Sequence, residues 1–283
     1  LLPKLFCTPI LLDIHDPMPE LFSSIFSRKP NSLVYKILLL EEKISISFAD
    51  KLLTVHKGMY DLLTARGVSP RKITIIHNLP DPKIFNTKIT SKDKSEYYCL
   101  IYAGTVSPRH KLDQIIHAIS ILRLEMPDLR LRIVGDGPAI DDLIEHSKKL
   151  NIRKMIEFVG TVQVDEVPKY LIQSDLAIAS YSDDDFGNLV FPTKAIEAIM
   201  IGLPVLCTRV DAVLSYLGED VLFYYKPDSV NSIIDQIRLI RKNPELVNQK
   251  KIHGKRFLKQ LNWDTEKKLY VNLVNKLIMK EKR

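Results

Sequence analysis

Cysteine is scarce in this chain. There are three, Cys7, Cys99 and Cys207, and none stands in a CxxC pair. An odd, scattered set argues against a disulfide framework or a zinc site and suits a reducing compartment. The seven histidines show no metal-ligand spacing. No apolar run approaches the roughly 20 residues of a membrane span. The apolar start is broken by Pro3, Lys4 and Pro9, which argues against a signal peptide. There is no internal repeat, no low-complexity tract and no Ser-His-Asp order with a nucleophile elbow, so a hydrolase triad has little support.

What is present is a globular composition. The 283 residues are 46% hydrophobic and 27% charged, enough for one large domain or two ordinary ones. The chain begins with Leu1 rather than Met, and we expect it to be a fragment or a processed product. The formal charge is +7, unevenly spread. Residues 1–95 hold 14 Lys and Arg against 9 Asp and Glu, a net of +5; the remaining 27 against 25 give +2. Such an excess fits a solvated face, an anionic membrane surface or nucleic acid. No nucleic-acid motif accompanies it, and no nucleic-acid partner is expected.

Short apolar runs alternate with helix-period segments. The strand candidates are ILLDI (10–14), KLLTV (51–55), KITII (72–76), YCLIYA (98–103), LRLRIV (129–134), MIEFV (155–159), DLAIA (175–179), PVLCT (204–208) and VLFYY (221–225). In KLDQIIHAISILRLE (111–125), Leu112, Ile115, Ile116, Ile119 and Leu122 recur at helical spacing. Strand-helix alternation implies an α/β protein with parallel sheets covered on both faces. The polar stretch 81–96 reads as a linker, with a boundary near residue 93, and 229–283 as successive helices, the last capped by Asp264.

Several strand candidates end in a small residue: Gly104, Gly135, Gly160 and Ser180. Ligands of open parallel sheets sit outside the carboxyl ends of the strands, where glycines let backbone N–H groups approach a phosphate. The plainer reading is tight strand-to-helix turns. GTVSPRHKLD (104–113) places Arg109, His110 and Lys111 at a helix start, where cations oppose the dipole. Basic groups beside a glycine turn suit a diphosphate, or they are exposed loop residues. In LRIVGDGPAIDDL (131–143) the GxGxxG fingerprint is incomplete, Pro138 suits a first helical position, and phosphate contact or plain turn chemistry remain open.

FPTKAIEAIMIGLPVL (191–206) opens a helix after Pro192 and puts Lys194 and Glu197 on one face. A carboxylate can accept both hydroxyls of a ribose, and an ammonium can neutralise phosphate; a surface ion pair is the alternative. Gly202 ends that helix. In LLDIHDPMPE (11–20), His15 stands at a strand end among Asp13, Asp16 and Glu20, as an acid, a base, a hydrogen-bond donor or a structural residue.

Taken in order, these segments resemble the GT-B glycosyltransferases of family 4, the group 1 glycosyltransferases. YAGTVSPRHKLDQIIHAI resembles that family's strand, glycine loop and Lys-containing helix start. LRIVGDGP resembles its strand-turn, and MIEFVGTVQVDEVPKYLIQSDLAIAS the following stretch. PTKAIEAIMIGLPVL resembles its donor-binding block, NWDTEKKLYVNLVNKL its closing helix, and ADKLLTVHKGMYDLLTARGVSPRKITIIHNLPDPKIF the end of its first domain.

The resemblance implies two Rossmann-like domains facing a cleft, the first incomplete. These are residues 1–93 on the acceptor side, 94–262 binding the sugar nucleotide, and 263–283 as a helix packing back toward the first. It implies a nucleotide-sugar-dependent, retaining hexosyltransferase with no required metal or cofactor, using a UDP- or GDP-linked donor. The acceptor would be a glycan or a polyprenyl-linked lipid in cell-envelope polysaccharide or glycolipid synthesis. A non-catalytic GT-B partner subunit and a sugar-nucleotide epimerase are the alternatives.

By position, Lys111 with Arg109 would hold the diphosphate beside Gly104 and Gly135. Lys194 would sit near the phosphate or the sugar, Glu197 on the ribose, and Gly160 and Thr161 by the base. His15 would approach the reacting sugar. The family's pair of glutamates is broken, since the position eight before Glu197 is Leu189. Asp183, Asp184, Asp185 and Asn188 stand nearby, similar to the branch of the family with an Asn before a P-x-K helix. The chain is expected to be cytoplasmic. The segment 24–43 mixes Arg28, Lys29 and Lys36 with Phe26, Leu33, Ile37 and Leu40, which suits either an anionic membrane surface or an ordinary amphipathic helix.

Overall fold

The structure is a computed structural model, describing residues 6, 8–26, 32–85, 96–261 and 263–281. Cys7, Arg28, Lys29 and the expected boundary near residue 93 lie outside the described residues. In chain order the elements begin with β1 (Leu11–Ile14), α1 (Met18–Phe26), α2 (Leu33–Phe48), β2 (Lys51–Thr54), α3 (Lys57–Ala65) and β3 (Ile73–Ile75). Then follow β4 (Tyr98–Ala103), α4 (Leu112–Leu122), β5 (Leu129–Val134), α5 (Ile140–Lys149), β6 (Ile156–Gly160), α6 (Val167–Ile172) and β7 (Leu176–Ala179). Last come α7 (Thr193–Ile201), β8 (Val205–Thr208), α8 (Asp211–Leu217), β9 (Phe223–Tyr225), α9 (Val230–Lys242), α10 (Pro244–Gln260) and α11 (Trp263–Glu281).

The chain divides into two compact units. The first contains residues up to Leu79, Asp183–Phe191 and the stretch from Leu261 onward. Its described sheet is parallel, in the order β1-β2-β3. Leu52, Leu63 and Ile73 pack there with Ile46 and Ala49. His56 caps α3: its Nδ1 accepts from the Gly58 N–H at 3.0 Å. The hydrogen therefore sits on Nε2, which donates to the Leu189 carbonyl at 2.7 Å. Burial holds this imidazole below its ordinary pKa, which favours the neutral tautomer needed for both bonds. Ser24 Oγ donates to Asp184 Oδ2 at 2.6 Å, so two bonds fix the 183–191 segment within this unit. On α11, Glu266 is buried and accepts from the backbone N–H of His77 at 3.0 Å. Trp263 already lies in α11, so Asp264 is inside the first turn, where it complements the dipole instead of capping.

The second unit contains Pro80–Ser182 and Pro192–Gln260. Its six strands are all parallel, in the order β6-β5-β4-β7-β8-β9. The stripe read on α4 is the buried one: Leu112, Ile115, Ile116, Ile119 and Leu122 are at most 1% exposed. Ile233, Ile234 and Ile237 of α9 join them in the same core. Leu100 and Tyr102 face one side of β4 and Cys99 and Ile101 the other, yet all four are buried, as a sheet covered on both faces requires. Burying each such side chain contributes about 1.5–3 kcal/mol. Gly202 stops α7 in the left-handed conformation at φ +80°.

Counted within this unit, the strand order is that of a doubly wound Rossmann sheet. From β4 the chain builds outward through β5 and β6. It returns to β7 on the other side of β4, then builds away through β8 and β9. The direction reverses between β4 and β7, so the carboxyl ends of those two strands border the crevice where such sheets take ligands.

Candidate functional site

The second unit contributes Gly104, Gly135, Arg109 and Lys194 to this reversal point. Gly104 follows β4 at φ +139°, a conformation that favours glycine. Its N–H donates to the Val134 carbonyl at 2.9 Å. Gly135 follows β5 at φ +127°, and a Cβ built on it would lie 2.1 Å from the Gly104 carbonyl oxygen. The two turns therefore press backbone to backbone. Two further bonds hold them: Val106 N–H to the Asp136 carbonyl at 2.9 Å, and Ala139 N–H to the Val106 carbonyl at 3.2 Å. Pro138 lies in this pinned turn, and α5 begins two residues later, so Pro138 does not occupy the first helical position.

Lys194 stands in the first turn of α7, whose N-terminus follows the reversal. Its Cε lies 2.4 Å from where a Cβ on Gly104 would be. Its ammonium sits over the rings of Tyr102, the last residue but one of β4, and Tyr181, just past β7, at 5.2 and 5.8 Å. Burial, then the positive charge of Arg109, lower its pKa to about 8, with Glu197 opposing. One turn on, burial raises Glu197 to about 7 against the pull of Lys194. A base lowered and an acid raised, both by burial in one crevice, is the pattern of a site that expects a charged partner.

Arg109 and His110 belong to a single 3₁₀ turn, Pro108–His110. Lys111 follows it at φ +50°, before α4 starts. The three residues therefore precede the helix and do not form its first turn. The His110 ring is buried beside Tyr102: the Tyr102 hydroxyl donates to the Thr105 carbonyl at 2.6 Å and lies 3.0 Å from His110 Nδ1. That hydroxyl has one hydrogen, so Nδ1–H is the donor to it. Burial, with Lys194 and Arg109 adding, lowers His110 to about 3 and keeps it neutral. Lys111 is half-exposed, 3.7 Å from Asp228.

The remaining expected residues are distributed over both units. Gly160 ends β6, and its carbonyl accepts from the Gly135 N–H at 2.8 Å; Thr161 is exposed beyond it. Asn188 belongs to the first unit, where its Nδ2 donates to the Asp184 carbonyl at 3.2 Å. His15 also belongs there, with Nε2 3.1 Å from Asp13, on a cavity of about 390 Å³ shared with Leu38, Glu41 and Ser45. Sequence reasoning missed Tyr102, Tyr181, Thr208 and Tyr225. The only available signal was aromatic and hydroxyl residues at strand ends beside the glycines. Among the described residues, no three His, Cys, Asp or Glu side chains are grouped to hold a metal.

A six-stranded doubly wound sheet, with a buried lysine held against a glycine turn at its reversal point, places this unit in the Rossmann-like α/β class. Within that class, residues 84–257 match the model of the group 1 glycosyl transferases, and the chain belongs to that family. It is 22% identical over 206 residues to the gpi3 subunit of the phosphatidylinositol N-acetylglucosaminyltransferase of Schizosaccharomyces pombe, covering 68% of this chain and 42% of that protein. It is 25% identical over 187 residues to the N-acetyl-α-D-glucosaminyl L-malate synthase of Bacillus anthracis, covering 63% and 47%. The chain thus spans about half the length of the curated relatives it matches. A crystal structure of Anabaena HepE in complex with UDP superposes with a TM-score of 0.77 at 15% identity, over 97% of this chain and 74% of that one. The fold is that of the GT-B glycosyltransferases.

Proposed function

We propose that this chain is the donor-binding part of a retaining glycosyltransferase and that the crevice at the β4–β7 reversal holds the diphosphate of a nucleotide sugar. The observation that carries this reading is Lys194, whose buried ammonium lies against the Gly104 turn and beside Arg109. Structures of Anabaena HepE with UDP and with UDP-glucose support a UDP-linked donor.

The chemistry follows from charge. Breaking the bond between sugar and diphosphate develops negative charge on the departing oxygen. Lys194 and Arg109, and Lys111 on the same turn, stabilise that charge in a crevice of low dielectric. Glu197 accepts from the ribose hydroxyls. The sugar, flattened and electron-poor, is attacked by the acceptor hydroxyl on the face the diphosphate leaves, so the anomeric configuration is retained. No carboxylate pair flanking the sugar is required, unlike hydrolysis by a glycosidase.

On the acceptor side we place a glycan or a polyprenyl-linked lipid, with His15 and its cavity in the first unit as the recognition element. Leu33, Ile37 and Leu40 of α2 are exposed beside Lys36, which supports contact with an anionic membrane surface. Cosedimentation with anionic vesicles, lost in Leu33→Ser/Ile37→Ser, is the expected result; no cosedimentation of the unaltered chain contradicts that contact.

The reaction itself is tested by supplying UDP-linked and GDP-linked sugars with a glycolipid extract and reading the product's anomeric configuration by NMR. An α-linked product from an α-linked donor, absent with Lys194→Met, is expected. A β-linked product overturns the retaining assignment; an epimerised free donor overturns the transferase reading.

A further inference from the structure

A continuous chain of buried hydroxyls runs under the turn that carries Arg109 and Lys111. Ser180 follows β7, Thr208 ends β8 and Tyr225 ends β9; all three are buried, at 0, 2 and 3% exposure. The Tyr181 backbone N–H donates to Thr208 Oγ1 at 3.1 Å. Thr208 Oγ1 lies 2.7 Å from the Tyr225 hydroxyl, which lies 2.8 Å from Ser180 Oγ. Ser180 Oγ bonds to the backbone carbonyl of His110.

The proton order is forced. A carbonyl only accepts, so Ser180 gives its one hydrogen to His110. The Ser180 oxygen must then accept from Tyr225, and Tyr225 from Thr208. The chain reads in one direction, from the Tyr181 N–H to the His110 carbonyl, with each hydroxyl donating once and accepting once. No alternative order satisfies all of its members, and an unsatisfied member buried here is costly. The His110 ring is fixed independently by Tyr102. The one residue between Arg109 and Lys111 is thus tied at its side chain and at its carbonyl.

We propose that Ser180, Tyr225 and Thr208 are positioning residues for the diphosphate: they fix the 108–111 turn so that its cations and backbone meet the phosphates without reorganising. The inference rests on the donor-site reading above. It names a function for three buried hydroxyls bonded to one another and to the backbone of the turn. It also accounts for a Ser, a Thr and a Tyr at the ends of three strands in the core, where apolar residues would otherwise pack. The device has a directional consequence. Removing a hydroxyl at the His110 end frees the turn directly, whereas removing one at the Thr208 end leaves the Ser180–His110 bond in place.

The test compares UDP with uridine, which lacks the phosphates, in calorimetric titrations of the full chain. Ser180→Ala is expected to weaken UDP about tenfold, the scale of one lost buried hydrogen bond, while uridine affinity is unchanged. Tyr225→Phe is expected to act in the same direction, Thr208→Val less, and Ser180→Thr, which keeps a hydroxyl, to recover most of the loss. Thermal unfolding is followed in parallel; Tyr225→Phe keeps the ring and serves if Ser180→Ala does not fold. Equal UDP affinity in Ser180→Ala, Tyr225→Phe and the unaltered chain overturns the positioning role. Equal losses for UDP and uridine overturn it as well, since they mark a general structural defect. If the unaltered chain binds no nucleotide at all, it is the donor-site reading that fails.

Discussion

The side chain of Lys194 occupies the space into which a Cβ on residue 104 would point: the separation from its Cε would be 2.4 Å. The absence of a side chain on Gly104 therefore places the ammonium over Tyr102 and Tyr181. Gly135 has a different reason to lack a Cβ. The atom it would meet is the Gly104 carbonyl oxygen, which is backbone and cannot move aside.

Substitutions at three glycines separate these reasons. Gly135→Ala is expected to destabilise the protein by about 3 kcal/mol, from its positive φ and the backbone clash together. Gly160 also has a positive φ, +83°, but a Cβ there meets nothing within 4 Å, so Gly160→Ala costs only about 1 kcal/mol. Gly104→Ala is strained by its own φ of +139° and displaces the Lys194 side chain as well, so it both destabilises the protein and weakens UDP. Urea denaturation alongside UDP titration gives all three numbers; equal stability losses at Gly135 and Gly160 contradict the account.

Glu197 predicts a pH dependence of stability. Its folded pKa is raised from an ordinary 4.5 to about 7. Between those values the folded chain keeps a proton that the unfolded chain has released. The contribution is fully present below pH 4.5 and is lost as pH rises through 7. Relative to Glu197→Gln, the unaltered protein should lose up to about 3 kcal/mol across that window. Parallel stability curves for the two proteins from pH 5 to 8 exclude a proton on this carboxyl.

Lys194 predicts a pH dependence of binding in the same direction, at higher pH. Its free-state pKa is lowered to about 8, and a diphosphate favours the charged form. UDP affinity should fall as pH rises through 8, with a proton taken up on binding there. The proton is read by calorimetry in buffers of different ionisation enthalpy. Lys194→Met should bind UDP with no such fall above pH 8.

Lys111 is half-exposed in its pair with Asp228, so its charge contributes little to folding. Lys111→Ala should leave stability within about 0.5 kcal/mol yet weaken UDP several-fold at low salt. The difference from the unaltered chain should shrink as salt is raised. An effect on uridine as large as that on UDP contradicts phosphate contact.

Much of the second unit was legible because its cues are local. All nine strand candidates coincide with observed strands to within two residues at either end, and the α4 stripe is buried as its period requires. Lys194 and Glu197 could be singled out because their three-residue spacing puts a cation and a carboxylate on one helix face. The hydroxyl chain could not, since Ser180 lies 70 residues from His110 and 45 from Tyr225. Nor could the attachment of Asp183–Phe191 to the first unit, which depends on Ser24 and His56, each more than 130 residues away in sequence. Pairings of that separation leave no mark in periodicity or composition.

The most direct test is a calorimetric titration of the unaltered chain and Lys194→Met with UDP, GDP and TDP. The account predicts that one diphosphate binds selectively, and that Lys194→Met weakens it by about tenfold to a hundredfold, the range for losing a charge-assisted hydrogen bond. Unchanged affinity in Lys194→Met, or no binding by a folded sample, would contradict a donor diphosphate at the β4–β7 reversal.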